Sequence, residues 1–229
     1  MNAKRGFMPE DERNFSAAAL PKLRTAARHM AYLINEGYDL KQASTFVGNH
    51  FLLSERQRLA LMRSLATREQ IERRRAKATG SGAEVWIDGF NTVITLEVLH
   101  SDSLLFICMD GTVRDLAALR GTYRIIPETE AAVRTLLDAL GEIKVESAHV
   151  LLDEPVSNSG RLKTLIAELG EGVPFSLDIQ IQKDVDRALF GKPCVISTDS
   201  VVLDRCESWI NLAARCAERL GAQPACVWE

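Results

Sequence analysis

No apolar run in this chain reaches the roughly 18 to 20 residues that span a bilayer. The N-terminal stretch, "MNAKRGFMPEDERNF", is charged and has no continuous apolar segment, unlike a secretory signal. The expectation is a soluble cytoplasmic protein without membrane attachment. Cysteine is sparse. The five residues, Cys108, Cys194, Cys206, Cys216 and Cys226, are odd in number and form no CxxC step, which argues against structural zinc and against a disulfide framework. Cys206 and Cys216 fall in a helical pattern and are expected as buried free thiols. His29, His50, His100 and His149 show no HxxxH or HExxH spacing, so each is read as structural. No GxxxxGK[ST] occurs, which excludes a nucleotide P-loop. Internal repeats and low-complexity tracts are also absent.

What is present is enough apolar material for a core: 46% of 229 residues, which excludes global disorder. The net charge of −3 hides an asymmetry. Residues 1–80 carry 15 Lys and Arg against 8 Asp and Glu, a net +7, and residues 81–229 carry −10. A basic arm on an acidic body suggests one part that touches a polyanion and one that carries acidic chemistry.

Apolar spacing predicts a helix over 16–36, with Ser16 as cap and Pro21 in the first turn. A short helix is expected over about 39–47, capped by Asp39. A long helix is expected from Ser54 to about 78, opened by a Ser54–Gln57 capping box. "TGSG", 79–82, marks the boundary between a small all-α domain (1–80) and an α/β domain (81–229). Beyond it, strands are expected at 84–88, 93–99, 104–109, 148–153, 175–181 and 194–198. Helices are expected at 128–140, 159–169, 184–190 and 200–220. Near-continuous apolar strands alternating with helices predict a mainly parallel sheet covered on both faces.

In such sheets the ligand site lies beyond the C-terminal strand ends. Asp88, Asp110, Asp153 and Asp199 each close or follow an expected strand, and Asp184 and Asp186 open the helix before the last one. A lone Asp there is usually a turn former or cap. Several on one rim repel one another unless a proton or a cation intervenes. Oxygen ligands without a Cys/His set favour Mg²⁺ or Mn²⁺, ions that activate water and stabilise charge on phosphoryl oxygens. Asp88, Asp186 and Asp199 are the first candidates, with Asp153 or Asp110 completing the set.

"VWIDGFNTV" (85–93) resembles the first strand of PIN-like nucleases, especially their NYN branch, where an Asp-Gly-aromatic-Asn step places a metal-binding Asp. "QKDVDRALF" and "CVISTDSVVLDR" resemble that branch's later helix opening and final strand. The resemblance covers roughly 84–212 and implies a three-layer α/β PIN-like fold that cleaves RNA phosphodiesters with bound metal. It implies that Asp88, Asp186 and Asp199 are the metal carboxylates and that Asn91 orients a phosphate or carboxylate. Val201 stands where the branch often has a second Asp, which favours the alternative of a non-catalytic RNA-binding or scaffold protein. The whole chain also resembles a prokaryotic family of uncharacterised proteins with a helical N-terminal part.

"LLFICMDGTVRD" (104–115) is similar to the haloacid dehalogenase phosphatase motif, but Cys108 stands at the nucleophile position, where that chemistry needs an aspartyl phosphate. "DEPVSNSGRLKTL" (153–165) reads as a loop opening a helix. Asn158, Arg161 and Lys163 there suit a nucleic-acid phosphate, as do Arg56, Arg58, Arg63, Arg68, Arg73, Arg74 and Arg75 in the basic arm. The expected partner is RNA, and self-association into a homo-oligomer is compatible with the composition.

Overall fold

The computed structural model describes residues 4–117 and 121–229. The N-terminal unit holds α1 (Asp11–Asn14), α2 (Leu20–Asn35), α3 (Leu40–His50), α4 (Glu55–Ser64) and α5 (Arg68–Lys77). Its starts are chemically specified. Asp39 accepts from the Lys41 and Gln42 amides at the head of α3. Ser54 with Gln57, and Thr67 with Gln70, form reciprocal capping boxes at α4 and α5, which satisfy amides that a helix start leaves bare. The second box corrects the single long helix expected from Ser54. Leu65 adopts an extended backbone (ψ 146), Leu65 and Ala66 are buried, and Thr67 restarts the chain as a new helix.

The body begins at the predicted boundary but is not separate from the arm. β1 (Ala78–Thr79) is followed by β2 (Glu84–Asp88), α6 (Gly89–His100), β3 (Leu105–Ile107), β4 (Val113–Asp115), α7 (Glu128–Glu142), β5 (Ser147–Asp153) and α8 (Ser159–Leu169). Then come β6 (Ser176–Gln182), α9 (Val185–Leu189), β7 (Val195–Ile196), α10 (Ser200–Arg205), β8 (Trp209–Ile210) and α11 (Leu212–Arg219). Six strands form one sheet in the order β1-β8-β7-β2-β5-β6, with every pairing parallel. Thus β1, at the end of the arm, is the edge strand that pairs with β8 near the chain's end.

Alternation along the strands divides the core. Val85, Ile87, Val150, Leu152, Ile196 and Ile210 face one layer, packed with residues of α6, α7, α8 and α11. Leu151, Val195 and Trp209 face the other, with Val185 and Leu189 of α9 and Val202 and Leu203 of α10. The α/β sheet flanked by helices is as expected, and so is the helical part before it. The arm has its own core of Leu23, Met30, Val47 and Leu61, sealed by Phe106, Leu116 and Val227 from the body.

Three expected elements are corrected. Residues 93–99 are helix α6, not a strand, and Phe90, Val93, Leu96, Val98 and Leu99 are all buried. A helix enclosed on all sides reads as an unbroken apolar run, as a buried strand does. Residues 104–109 contribute only β3, which pairs antiparallel with β4 in a separate two-stranded ribbon. The expected helix 200–220 is interrupted by β8, where Trp209 is buried and donates its indole N–H to the Arg74 carbonyl at 2.7 Å.

The ribbon carries a buried ion cluster. Arg74 donates to Asp110 at 2.8 Å and Arg114 donates to the same carboxylate oxygen at 2.7 Å. Arg74 also grips Asp204 through two nitrogens, at 2.8 and 2.9 Å. Arg74, Asp110 and Arg114 are all buried. Burial alone would raise the Asp110 carboxyl. Arg114, the Thr112 hydroxyl and amide, and Arg74 outweigh it and hold the group below its ordinary range.

Two predictions follow from this packing. Removing the shared acid leaves two buried guanidinium groups uncompensated, so Asp110→Asn is expected to cost about 3–5 kcal/mol, read from urea unfolding at neutral pH. At Gly89 an added Cβ would stand 2.7 Å from the Leu151 carbonyl oxygen and 2.6 Å from Leu152 Cδ2. Gly89→Ala is therefore expected to force α6 away from β5 and to lose about 1–3 kcal/mol in the same measurement.

Candidate functional site

Parallel pairing brings the C-terminal ends of β2, β5 and β7 to one rim. Asp88 ends β2, and its side chain caps α6 by accepting from the Asn91 amide at 3.4 Å. Its other oxygen accepts from Ser197 Oγ at 2.8 Å. Asp153 ends β5 and accepts from the Val185 amide at 3.4 Å. Asp184 caps α9, so Asp186 lies in the first turn of that helix. Asp199 caps α10 through the Val201 and Val202 amides. The bland role of strand-end acids as caps thus holds for Asp88 and Asp199, but it uses only Oδ1 of each.

Asp88, Asp153, Asp186 and Asp199 line one cavity of about 220 Å³, together with Asp115, Asn91, Phe90, Tyr123 and Arg63. Among the described residues none of Asp88, Asp153, Asp186 and Asp199 is in a salt bridge. The electrostatic result is concentrated on Asp88. Burial pushes its carboxyl up to about 7, the Ser197 hydroxyl opposes the rise, and Asp186, Asp199 and Asp153 add to it. Burial followed by the neighbouring carboxylates Asp199, Asp153 and Asp184 raises Asp186. Asp153 is raised by burial and by Asp184.

Asn91 ties the rim together. Its Oδ1 accepts from the Thr198 amide at 2.8 Å and the Thr198 hydroxyl at 3.1 Å. Ser197 Oγ in turn accepts from the Asp199 amide at 3.0 Å. The Asn91 amide nitrogen has no protein acceptor among the described residues, and it is a donor on the wall of the acidic cavity.

The other expected residues divide. Asp110 is not on this rim: it sits in the ribbon turn, and its charge is answered by Arg74 and Arg114, so it is corrected as a metal ligand. Arg74 is corrected as a nucleic-acid contact, because it is buried and paired with Asp110 and Asp204. Arg73 reaches Asp204 at 3.1 Å, and Arg75 donates to the Met109 carbonyl. Asn158 adopts a left-handed backbone (φ 63) and gives its side-chain amide to the Tyr123 carbonyl at 2.7 Å. Arg161 and Lys163 are exposed on α8 and do not line the acidic cavity.

Asp115 was missed. It lies in the dehalogenase-like stretch, at the end of β4, and accepts from Thr95 Oγ1 at 2.9 Å and from the Ala117 amide at 2.8 Å. The signal was the second acid of "MDGTVRD", set aside with the motif. Ser197 and Thr198 stand in the quoted "CVISTDS" without a stated role, and their hydroxyls turn out to hold Asp88 and Asn91.

Among curated proteins, the chain is 31% identical over 185 residues to "Uncharacterized protein MJ0935" of Methanocaldococcus jannaschii, covering 79% of this chain and 88% of the relative. No solved structure matches it. A family described as "Protein of unknown function (DUF434)" matches residues 22–77, which lie in the arm. The family described as "Domain of unknown function (DUF5616)" matches residues 77–215, a span that holds every acid of the cavity. The chain belongs to this family, and its shared segment is the sheet that carries the acidic rim.

Proposed function

We propose that the chain is a PIN-like, metal-dependent nuclease that acts on RNA. The carrying observation is the cavity of about 220 Å³ that Asp88, Asp153, Asp186 and Asp199 line without a salt-bridge partner among the described residues. Uncompensated carboxylates on a strand-end rim favour a cation, and an all-oxygen donor set suits Mg²⁺ or Mn²⁺. The Asp88 carboxyl, raised first by burial and then by Asp186, Asp199 and Asp153, fits a position where a bound cation would offset the cost of its charge. Asp88, Asp186 and Asp199 would hold the ion, with Asp153 beside them. When bound, the ion supplies charge stabilisation at a phosphoryl oxygen and lowers the pKa of an attacking water.

The protein's own groups do the positioning. Ser197 and the Asn91 amide fix the Asp88 carboxylate, so its orientation is set before substrate enters. The Asn91 side-chain nitrogen and Arg63 are donors on the same wall, placed to hold phosphate oxygens. Tyr123 and Phe90 form an aromatic edge there, with ring centroids 5.1 Å apart.

A second reading, a non-catalytic RNA-binding or scaffold protein, is favoured by one observation. Among the described residues no three Asp, Glu, His or Cys side chains stand close enough to share a metal ion. The two readings part in one assay. Purified protein is incubated with labelled single-stranded RNA, with Mn²⁺ or with EDTA. Mn²⁺-dependent cleavage that falls at least about a hundredfold in Asp88→Asn and in Asp199→Asn supports the nuclease. Salt-sensitive RNA binding, with no cleavage and no Mn²⁺-induced thermal shift, supports the scaffold.

The Asp88 carboxyl also predicts a pH dependence. The folded state keeps a proton up to about pH 7, whereas the ordinary value is 3.8. The folded chain therefore binds more protons in this window, so stability in EDTA falls as pH rises from about 4 to 7. Asp88→Asn is expected to flatten this slope and to unfold at a higher urea concentration than the unsubstituted protein at pH 8. An unchanged slope would remove Asp88 as its source.

A further inference from the structure

The acidic cavity is not closed on the side of the helical arm. A second cavity, about 210 Å³, adjoins it and shares Arg63, Asn91 and Asp199 with its lining. Its remaining wall comes from both units: Leu40, Met62, Leu65, Gln70 and Arg74 from the arm, and Arg114, Thr198 and Ser200 from the body. Arg74 and Arg114 in this wall are spent on Asp110, Asp204 and backbone carbonyls, so Arg63 is the cation of the wall with unspent donors among the described residues.

Arg63 stands at the junction. Its side chain is one-third exposed, and Nη1 donates to the Asp115 carbonyl at 2.6 Å. The same nitrogen lies 3.5 Å from the Asp115 carboxylate, so one edge of the guanidinium is tied to an acid that lines the first cavity. Nε and Nη2 have no protein acceptor among the described residues. Asn91 lines both spaces, and with its oxygen held by Thr198 its side-chain nitrogen has no protein acceptor among the described residues. A planar guanidinium with two free donors beside an amide donor suits a phosphodiester oxygen pair.

We propose that the second cavity is a nucleotide subsite supplied by the helical arm. It would bind the phosphate next to the one held over the acids, so that the arm builds half of the substrate cleft. The proposal rests on the reading of the acidic cavity as a strand-cleaving site. The substrate class it names is unpaired RNA: two adjoining cavities of about 220 and 210 Å³, each smaller than an ordinary ligand pocket, suit successive phosphates of a single strand better than a duplex. Of the arm's arginines expected to meet a phosphate, the role thus falls to Arg63 at the end of α4 and not to Arg73, Arg74 and Arg75, which are engaged within the protein.

The test uses the full chain and a fluorescein-labelled 12-nucleotide oligouridylate in EDTA, read by anisotropy across a salt series. Gln70→Glu is the main variant. Glu at this position keeps the capping box with Thr67, so folding is retained while a negative charge enters the cavity wall. Arg63→Gln is the second variant. Each is expected to raise Kd about tenfold. Arg63→Gln is expected to lower the salt slope by about 0.7, one phosphate contact on a single strand. Unfolding midpoints serve as the control for fold. Unchanged binding and slope in Gln70→Glu would overturn the subsite, even if the protein cleaves RNA with Mn²⁺. Weakened binding in both variants, in a protein that never cleaves, would keep the subsite and sink only the nuclease reading. Oligouridylate that does not bind the unsubstituted protein at all would overturn the subsite as well.

Discussion

Arg74 and Arg114 meet on a single carboxylate oxygen of Asp110, and the rest of the molecule is arranged around that meeting. Arg74 belongs to α5 of the helical arm, and Asp110 and Arg114 belong to the ribbon of the body. The arm's last helix is therefore fixed to the body by buried charge rather than by apolar contact alone. Such a cluster adds little net stability over a well-packed apolar replacement. What it adds is register. Guanidinium forks accept few geometries, and Arg114 uses its remaining nitrogens on the Arg63 and Thr198 carbonyls. The first sits on α4 and the second directly precedes Asp199. One side chain thus sets the distance between arm and acidic rim.

This explains how a site can be assembled from segments far apart in the chain. Asp88 is placed by β2, Asp153 by β5, Asp186 by α9 and Asp199 by α10, and Ser197 and Asn91 link the first to the last. Burial, with the neighbouring acids adding to it, pushes the Asp88 carboxyl up to about 7. Functional sites commonly carry such perturbed groups.

Much of this was legible in the sequence, and the reasons for the failures are physical. β2, β5 and β7 were readable because parallel strands buried on both faces give short apolar runs that end in polar residues, and the edge strand β6 because apolar and polar residues alternate along it. Asp88, Asp153, Asp186 and Asp199 were readable because of their place after those runs. Residues 93–99 were misread because a fully enclosed helix has no polar face to give it a period. Asp110 was misplaced because a hairpin outside the main sheet looks, in one dimension, like one more strand of it. Arg74 was taken for a surface charge because its partners, Asp110 and Asp204, lie 36 and 130 residues away. Spacing carries no trace of a pairing at that range. The break at Leu65 had a signal in the sequence, Thr67 followed by Gln70, of the same kind as the Ser54 and Gln57 that were read.

The edge strand β1 has a consequence for the order in which the molecule can be made. Ala78 pairs with Trp209 and Thr79 with Ile210, and Val227 lies in the core of the arm. The first third of the chain is thus completed by its last twenty or so residues. During synthesis the arm can form its helices early, but its apolar face and its edge of the sheet stay open until residues 209–227 leave the ribosome. Contacts of such long sequence separation form late and slowly.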